Sequence, residues 1–375
     1  MKRKFIYTVI LVPVFCLCNL EAAQAQFSEA SDILRASTTD ANLLLKNYFK
    51  PIGKGFGASL NSGWVNTAKP YRPFRFDIRV DATVANVPFA DEVFDLAEIG
   101  LSPNVEIIGN SFTSTAVGNG GGPTLRRTES VTDPSTNESI ETEVFRFRMP
   151  EGYGIALVPA PMAQITIGFI KNTDISFRFI PTIEVPGVDD LEAGLIGFGF
   201  KHGINQWLPA GDKFPFDLSL QFGFTSFNAE IDFEVFPEAG PDDPSIDNPF
   251  DSSVWENQKA TLKTKAFTGN LLIGKTLPVL TLWIGAGLQS STFSVKTPGA
   301  FPAVVRNESY EQSPQTEKPF IIERIDDPVN FEIKGANTIH AVGGARIRLA
   351  ILTFSGSYTF SKYDVASLGF GLSLK

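Results

Sequence analysis

Cysteine is nearly missing from this chain. Of 375 residues only Cys16 and Cys18 are Cys, and both precede residue 25. Beyond that point disulfides, thiolate metal sites and a cysteine nucleophile are excluded. Histidine is nearly as scarce, with His202 and His340 alone, so histidine-dependent catalysis has little to work with. Charged residues make up 19%, against ~25% in an average soluble domain. A basic excess is also lacking: the net charge is −9 and the pI about 5.0, which argues against a nucleic-acid partner. After residue 25 no stretch reaches the ~18 uninterrupted apolar residues of a membrane helix.

What the chain does have is aromatic and apolar in character. Hydrophobic residues reach 43%, and Phe alone supplies 33. Such a composition excludes an intrinsically disordered polymer.

The first residues read as an export signal. Lys2, Arg3 and Lys4 form a basic start, Phe5 to Leu20 an apolar run, and Ala23-Gln24-Ala25 a small-x-small cleavage signature. The expected division is a signal peptide over 1–25, an N-terminal segment over 26–72 and the main body over 73–375. Cleavage removes three basic residues and one acidic one, leaving −11. A retained membrane anchor is the competing reading, but the run is short for one.

The body is written in period two. In Phe74-Arg75-Phe76-Asp77-Ile78-Arg79-Val80-Asp81 even positions are apolar and odd ones charged, the mark of a strand with one apolar and one polar face. Similar alternation recurs through Ile165–Phe169, Ile175–Phe179, Phe214–Phe224, Leu280–Leu288, Gly343–Leu349, Phe354–Phe360 and Leu368–Leu374. Strands are expected near 74–85, 161–170, 173–185, 191–203, 214–236, 257–276, 278–297, 331–350, 352–361 and 365–375. The segments Val105-Glu106-Ile107 and Phe145-Arg146-Phe147 are candidates for two more. Parity changes between Phe224 and Phe227, where a β-bulge is expected.

A soluble sandwich and a membrane barrel both produce this pattern. Long strands, polar faces rich in Gly, Ser, Thr and paired charges, and alternation of short and long links favour the barrel. The expected fold class is all-β: a transmembrane antiparallel up-and-down β-barrel of about twelve strands, within a range of ten to fourteen, since such barrels take even numbers. An N-terminal helix over Ser31 to Phe49 is expected, capped by Ser31 or Asp32 and ended by Pro51. It is followed by the flexible Gly53-Lys54-Gly55-Phe56-Gly57. This segment has three possible places: a plug inside the barrel, a cap under its mouth, or a mobile tail.

Tyr48 to Gly57, Leu60 to Trp64, Pro159-Ala160-Pro161, Gln164, Gly168, Arg178 to Pro181 and Lys201 to Trp207 together resemble an uncharacterised bacterial family of unknown function read as outer-membrane β-barrels. The resemblance implies an outer-membrane location and carries over no catalytic residue. A more distant architectural likeness is to long-chain fatty-acid transporter barrels, which hold an N-terminal plug. One departure stands out: such barrels usually end on an outward aromatic residue, whereas this chain closes Leu374-Lys375.

For function, Arg75, Asp77, Arg79, Asp81, Arg178, Arg346 and Arg348 are the lumen and solute-path candidates, with an anionic or amphipathic solute favoured if the arginines line water. Leu43, Leu44, Leu45, Tyr48, Phe49, Lys50 and Lys54 are the plug candidates, the lysines facing Asp77 or Asp81. Gly269 to Thr276 has phosphate-loop spacing, but its apolar interior and Leu277-Pro278 exclude the following helix that motif needs. The acidic stretch Pro237 to Glu256 lacks the register of a calcium loop, and the two histidines read as structural. No catalytic residue, metal, cofactor, nucleotide or nucleic acid is expected. The expected partners are outer-membrane lipid, the barrel-assembly machinery and, for a porin-like channel, a small solute; the alternative is a non-transporting barrel acting through its long loops in a Gram-negative envelope.

Overall fold

A computed structural model describes residues 32–35, 37–185, 190–209, 211–237, 246–336 and 338–374. Residues 1–31, which hold the expected export signal with both cysteines and the capping candidate Ser31, and residues 238–245 of the acidic run lie outside these residues.

Ten strands form the wall: β1 (Phe76–Asn86), β2 (Leu157–Phe169), β3 (Thr173–Glu184), β4 (Leu191–Gly203), β5 (Asp217–Asp232), β6 (Lys259–Thr276), β7 (Leu280–Lys296), β8 (Ile339–Leu349), β9 (Leu352–Phe360) and β10 (Val365–Leu374). Each pairs antiparallel with its sequence neighbours, and β1 closes on β10 from Phe76 opposite Leu374 to Ala85 opposite Val365. The ring of ten strands is therefore closed on itself.

Ten is the lower end of the expected range. The two further candidates left the barrel: Val105–Ile108 and Ser139–Arg148 flank Thr124–Thr132 in a separate three-stranded sheet. Their apolar residues, Phe145 and Phe147 among them, face a core above the barrel rather than lipid. The long strand expected over 331–350 is also two pieces. Asn330–Lys334 pairs with the upper part of β7 outside the ring, and β8 takes over on the same edge.

Outward positions carry the apolar residues. On β6 they read Lys263, Lys265, Phe267, Gly269, Leu271, Ile273, Lys275. The apolar run between Lys265 and Lys275 rises about 26 Å at ~3.4 Å per residue and ~40° tilt, the height of the lipid-facing band of a transmembrane barrel. Exposed Phe74, Trp207, Phe214 and Phe216 ring one end of that band, as an interfacial aromatic girdle does.

No bulge interrupts β5. Its register to β4 and β6 is continuous through Ser226. Phe227 simply faces inward, ring centroid 4.8 Å from Phe56. The strand has left the lipid band there, so its apolar side chains move from the outer face to the inner one.

The links sort by end. The turn end, where the chain terminates, has 170–172, 204–216, 277–279 and 350–351; the loop end has 87–156, 185–190, 233–258, 297–338 and 361–364. The long links fold into a cap. A second three-stranded sheet joins Ile246–Asp247, Ala300–Arg306 and Phe320–Asp326 around Trp255 and Tyr310.

Helix α1 (Thr38–Asn61) starts later than expected, its N-cap at Ser37 instead of Ser31 or Asp32, and the Ser37 Oγ accepts from the Asp40 amide at 3.2 Å. It also runs through Pro51 to Asn61. A proline inside a helix loses one hydrogen bond and crowds the preceding turn, so the sequence reading ended the helix there. Burial of Leu44, Tyr48, Ala58 and Leu60 outweighs that local cost.

Candidate functional site

The helix enters the barrel from the loop end and descends. Its first turns, with Leu44 and Leu45, pack against Phe293, Val295, Phe331 and Ile333 at the upper wall and the cap. Lower down the glycines set how closely it lies. A Cβ on Gly53 would sit 3.0 Å from the Phe293 ring, on Gly55 2.8 Å from Val158, and on Gly57 2.0 Å from Ser291 Oγ. Only a bare backbone approaches the wall this closely. The helix is then tied by Ser59 Oγ donating to Val158 O at 2.8 Å and Asn61 Nδ2 to Ser290 O at 3.0 Å.

After Asn61 the chain continues as an extended segment down to β1, so the helix and this segment run through the lumen from loop end to turn end. Trp64 lies flat across β4 and β5 where both are glycine: a Cβ would come within 2.7 Å of its ring at Gly199 and 2.4 Å at Gly223. The Arg178 guanidinium stacks 3.7 Å from the Trp64 ring. It donates to Gln164 Oε1 at 3.0 Å, Leu60 O at 2.8 Å and Ser62 O at 2.8 Å. Gln164 in turn donates to Trp64 O at 3.2 Å.

Below this lie the remaining charges. Arg79 pairs with Asp81 at 2.7 Å and donates to Gly63 O. Lys201 pairs with Asp174 at 2.9 Å and donates to Thr67 O at 3.0 Å, while Asp174 accepts from the Tyr71 amide at 2.8 Å. Asn66 Nδ2 donates to Asp77 at 3.1 Å, and Arg346 Nη1 donates to the Tyr71 hydroxyl at 2.7 Å. Arg79, Arg178, Lys201, Arg346, Asp77, Asp81 and Asp174 are all at most 5% exposed. Five of these seven meet a counter-charge or a fixed backbone oxygen, and Asp77 and Arg346 meet the neutral side chains of Asn66 and Tyr71, which is how the interior tolerates them.

The structure thus gathers Asp77, Arg79, Asp81, Arg178 and Arg346 from the sequence candidates and leaves Arg75 and Arg348 half-buried at the turn end. It adds Asp174, Lys201, Gln164, Trp64, Asn66 and Tyr71. Strand parity was the available signal for the first two, since Asp174 shares a face with Arg178 and Lys201 lies between outward Phe200 and His202. The residues of the extended segment carried no periodic signal at all.

Among the plug candidates, Leu44, Leu45 and Tyr48 are buried, Leu43 and Phe49 half-buried, and Lys50 exposed. Lys54 does not reach Asp77 or Asp81. It pairs at 3.3 Å with Asp91 in the long 87–156 link, and Tyr363 of the last hairpin donates to the same carboxylate at 2.5 Å. The helix places Lys54 near the loop end, a full barrel depth from the Asp77 level. Burial alone would raise the Asp91 carboxyl, but the Tyr363 hydroxyl and the Lys54 ammonium hold it below the ordinary value. Three separate chain regions meet in this latch.

The other motifs resolve structurally. Gly269 to Thr276 is the end of β6, its backbone committed to ladders with β5 and β7. His202 sits at the turn end, bonded to Thr173 at 2.9 Å and to the Trp207 indole at 2.9 Å. His340 faces the lumen and bonds Asn270 at 2.6 Å. Asp251 caps the short turn Ser252–Trp255 by accepting from Ser253 N at 3.0 Å. Among the described residues no three His, Cys, Asp or Glu side chains converge as metal ligands.

A closed antiparallel ring with an apolar outer band and a polar, filled interior defines the class: an outer-membrane-type β-barrel carrying its own N-terminal plug. Residues 1–374 match the family of unknown function DUF6588, and the chain belongs to that family. Among solved structures it is similar to the translocator domain of the autotransporter NalP from Neisseria meningitidis (9% identity, 85% of this chain and 91% of that one, TM-score 0.26). It is also similar to the beta domain of the Bordetella autotransporter BrkA (9% identity, 80% and 99%, TM-score 0.23) and to a mutant porin of Rh. blastica (8% identity, 80% and 100%, TM-score 0.12). No curated protein matches the chain.

Proposed function

We propose that this protein resides in the outer membrane as a barrel closed by its own N-terminal segment, and that it acts through the cap its long links build outside the cell. The observation that carries this reading is the occupancy of the lumen by residues 38–73, held by buried bonds on both the helix and the extended stretch. A closed lumen leaves the cap and its sheets as the surface offered to partners. Export through the inner membrane, insertion by the barrel-assembly machinery and contact with outer-membrane lipid belong to this reading.

Passage of a small solute is a second reading, supported by the composition of the wall. With the segment withdrawn, the interior presents Arg79, Arg178, Lys201 and Arg346 against Asp77, Asp81 and Asp174, which favours an anionic or carboxylate-bearing solute.

Bilayer conductance separates the two. The full chain is expected to be silent, and a chain lacking residues 27–62 to conduct while retaining the heat-modifiable mobility of a folded barrel. Steady conductance by the full chain would remove the closed-barrel reading in favour of transport.

A further inference from the structure

One seam of the wall is unpaired over part of its length. The β2–β3 ladder runs from Phe169 opposite Thr173 to Gln164 opposite Arg178 and stops there. Above it, Leu157 to Ala163 pair with β1 alone, and β3 from Phe179 onward pairs only with β4. Proline is the local cause. Val87 N donates to Ala156 O at 2.8 Å, which turns alternate residues from 156 upward in sequence toward β1. Pro159 and Pro161 lie between them, so their backbones face β3, where neither has an N–H to give. Continuing the register of the lower ladder sets Pro161 opposite Pro181. The β3–β4 register also shifts between Ile180 and Ile183, a bulge that bends β3 at this level.

Both faces of the seam are apolar. Outside, Leu157, Phe179 and Ile196 are exposed. Inside, the continued register sets Met162 opposite Ile180, and both belong to a cluster with Ala160, Leu195 and Leu60 of helix α1. These side chains close the seam, since Leu60 and Met162 are at most 1% exposed. No ladder bond between β2 and β3 has to break for them to part.

What can enter is set by the two strand edges and their surroundings. A strand of another protein would need the ladder donors that Pro159, Pro161 and Pro181 lack. Water gains nothing from a seam that is apolar on both faces. Hydrocarbon suits it, because each N–H that proline removes is one fewer unmet donor in lipid. We infer that the β2–β3 seam is a lateral binding site for one acyl chain of a membrane phospholipid, which parts Met162 from Ile180 and touches Leu60 of the plug. The inference rests on the barrel spanning a membrane and not on the cap being the working surface.

Photolabelling tests it. The protein is reconstituted in phosphatidylcholine vesicles holding a trace of phosphatidylcholine with a diazirine at the end of one acyl chain, irradiated, and mapped by peptide mass spectrometry. Adducts on outward Phe179 and Ile196 report the membrane. Adducts on inward Met162, Ile180 and Leu60 report the site, and Val342, inward on β8 and paired on both sides, is expected to carry none. Pro161→Cys combined with Pro181→Cys allows a disulfide across the seam, in a chain whose other cysteines are Cys16 and Cys18 alone. Oxidation of that pair is expected to abolish the inward adducts and leave the outward ones, and reduction to restore them. The wild-type map decides by itself if the double variant does not fold. Outward adducts without inward ones, labelling of Val342 as strong as that of Met162, or inward adducts that survive the disulfide would overturn the inference. Absence of every adduct would overturn the membrane reading beneath it.

Discussion

Arg178→Leu tests how the segment is held. The guanidinium is fully buried and donates to two backbone carbonyls of the segment, Leu60 O and Ser62 O, and to Gln164 Oε1. Leucine keeps much of the volume and removes all three donors. With the segment in place, two buried carbonyls then lack partners, at about 1–3 kcal/mol each. Loss of stacking on Trp64 adds up to ~2 kcal/mol in a desolvated site. Against this, the variant no longer buries a charge, which offsets several kcal/mol. A net loss of about 3 kcal/mol for the seated state is the expectation, or roughly a hundredfold more of the open state at 1.4 kcal/mol per decade. The wall itself changes little, because its strands keep their ladders. The assay is single-channel recording in planar bilayers, with heat-modifiable mobility as the control for folding. Frequent openings in Arg178→Leu, and fewer in Arg178→Lys, are expected. A folded Arg178→Leu barrel as silent as the wild type would refute the argument that these bonds seat the segment.

Gly223→Val places side-chain atoms into the Trp64 ring; the expected outcome is a displaced indole, read as increased accessibility of Trp fluorescence to quencher, with the barrel still heat-modifiable. Acid should loosen the Lys54–Asp91–Tyr363 latch. Because the Asp91 pKa is depressed on folding, its contribution is complete above the unfolded value of ~3.9 and is lost as pH falls through the folded value. Proteolysis of the N-terminal segment should therefore rise below about pH 4 in the wild type, and the rise should be blunted in Asp91→Asn. Residue 33 lies in the cap core and the chain ends at the turn end, so an epitope placed just before residue 32 should be stained on intact cells while one after residue 374 is not. The reverse pattern would invert the orientation.

The lesson of sequence against structure is clearest on β5. Strict alternation from Phe214 to Phe224 specified a strand and its lipid face, because side-chain direction in a strand depends only on parity. The same rule, applied to Phe227, suggested a bulge, whereas the register runs straight and only the surroundings of each face change. Parity cannot say where lipid ends and a cap begins. The charged face of β1 was likewise legible in Asp77, Arg79 and Asp81, since local alternation alone directs them inward.

What the sequence determined by itself was therefore local: an antiparallel barrel of long two-faced strands, with long links at one end, and the lumen side of its charges. Tertiary structure alone decided that ten strands close the ring and that Phe145 and Phe147 belong to a cap core. It also carried the helix past Pro51 and seated Trp64 over Gly199 and Gly223. Each of these rests on contacts between residues far apart in the chain. Pro51 tips toward helix only once Leu44, Tyr48 and Leu60 are buried by walls that arrive hundreds of residues later. The glycines that receive Trp64 signal nothing until the segment is laid across them.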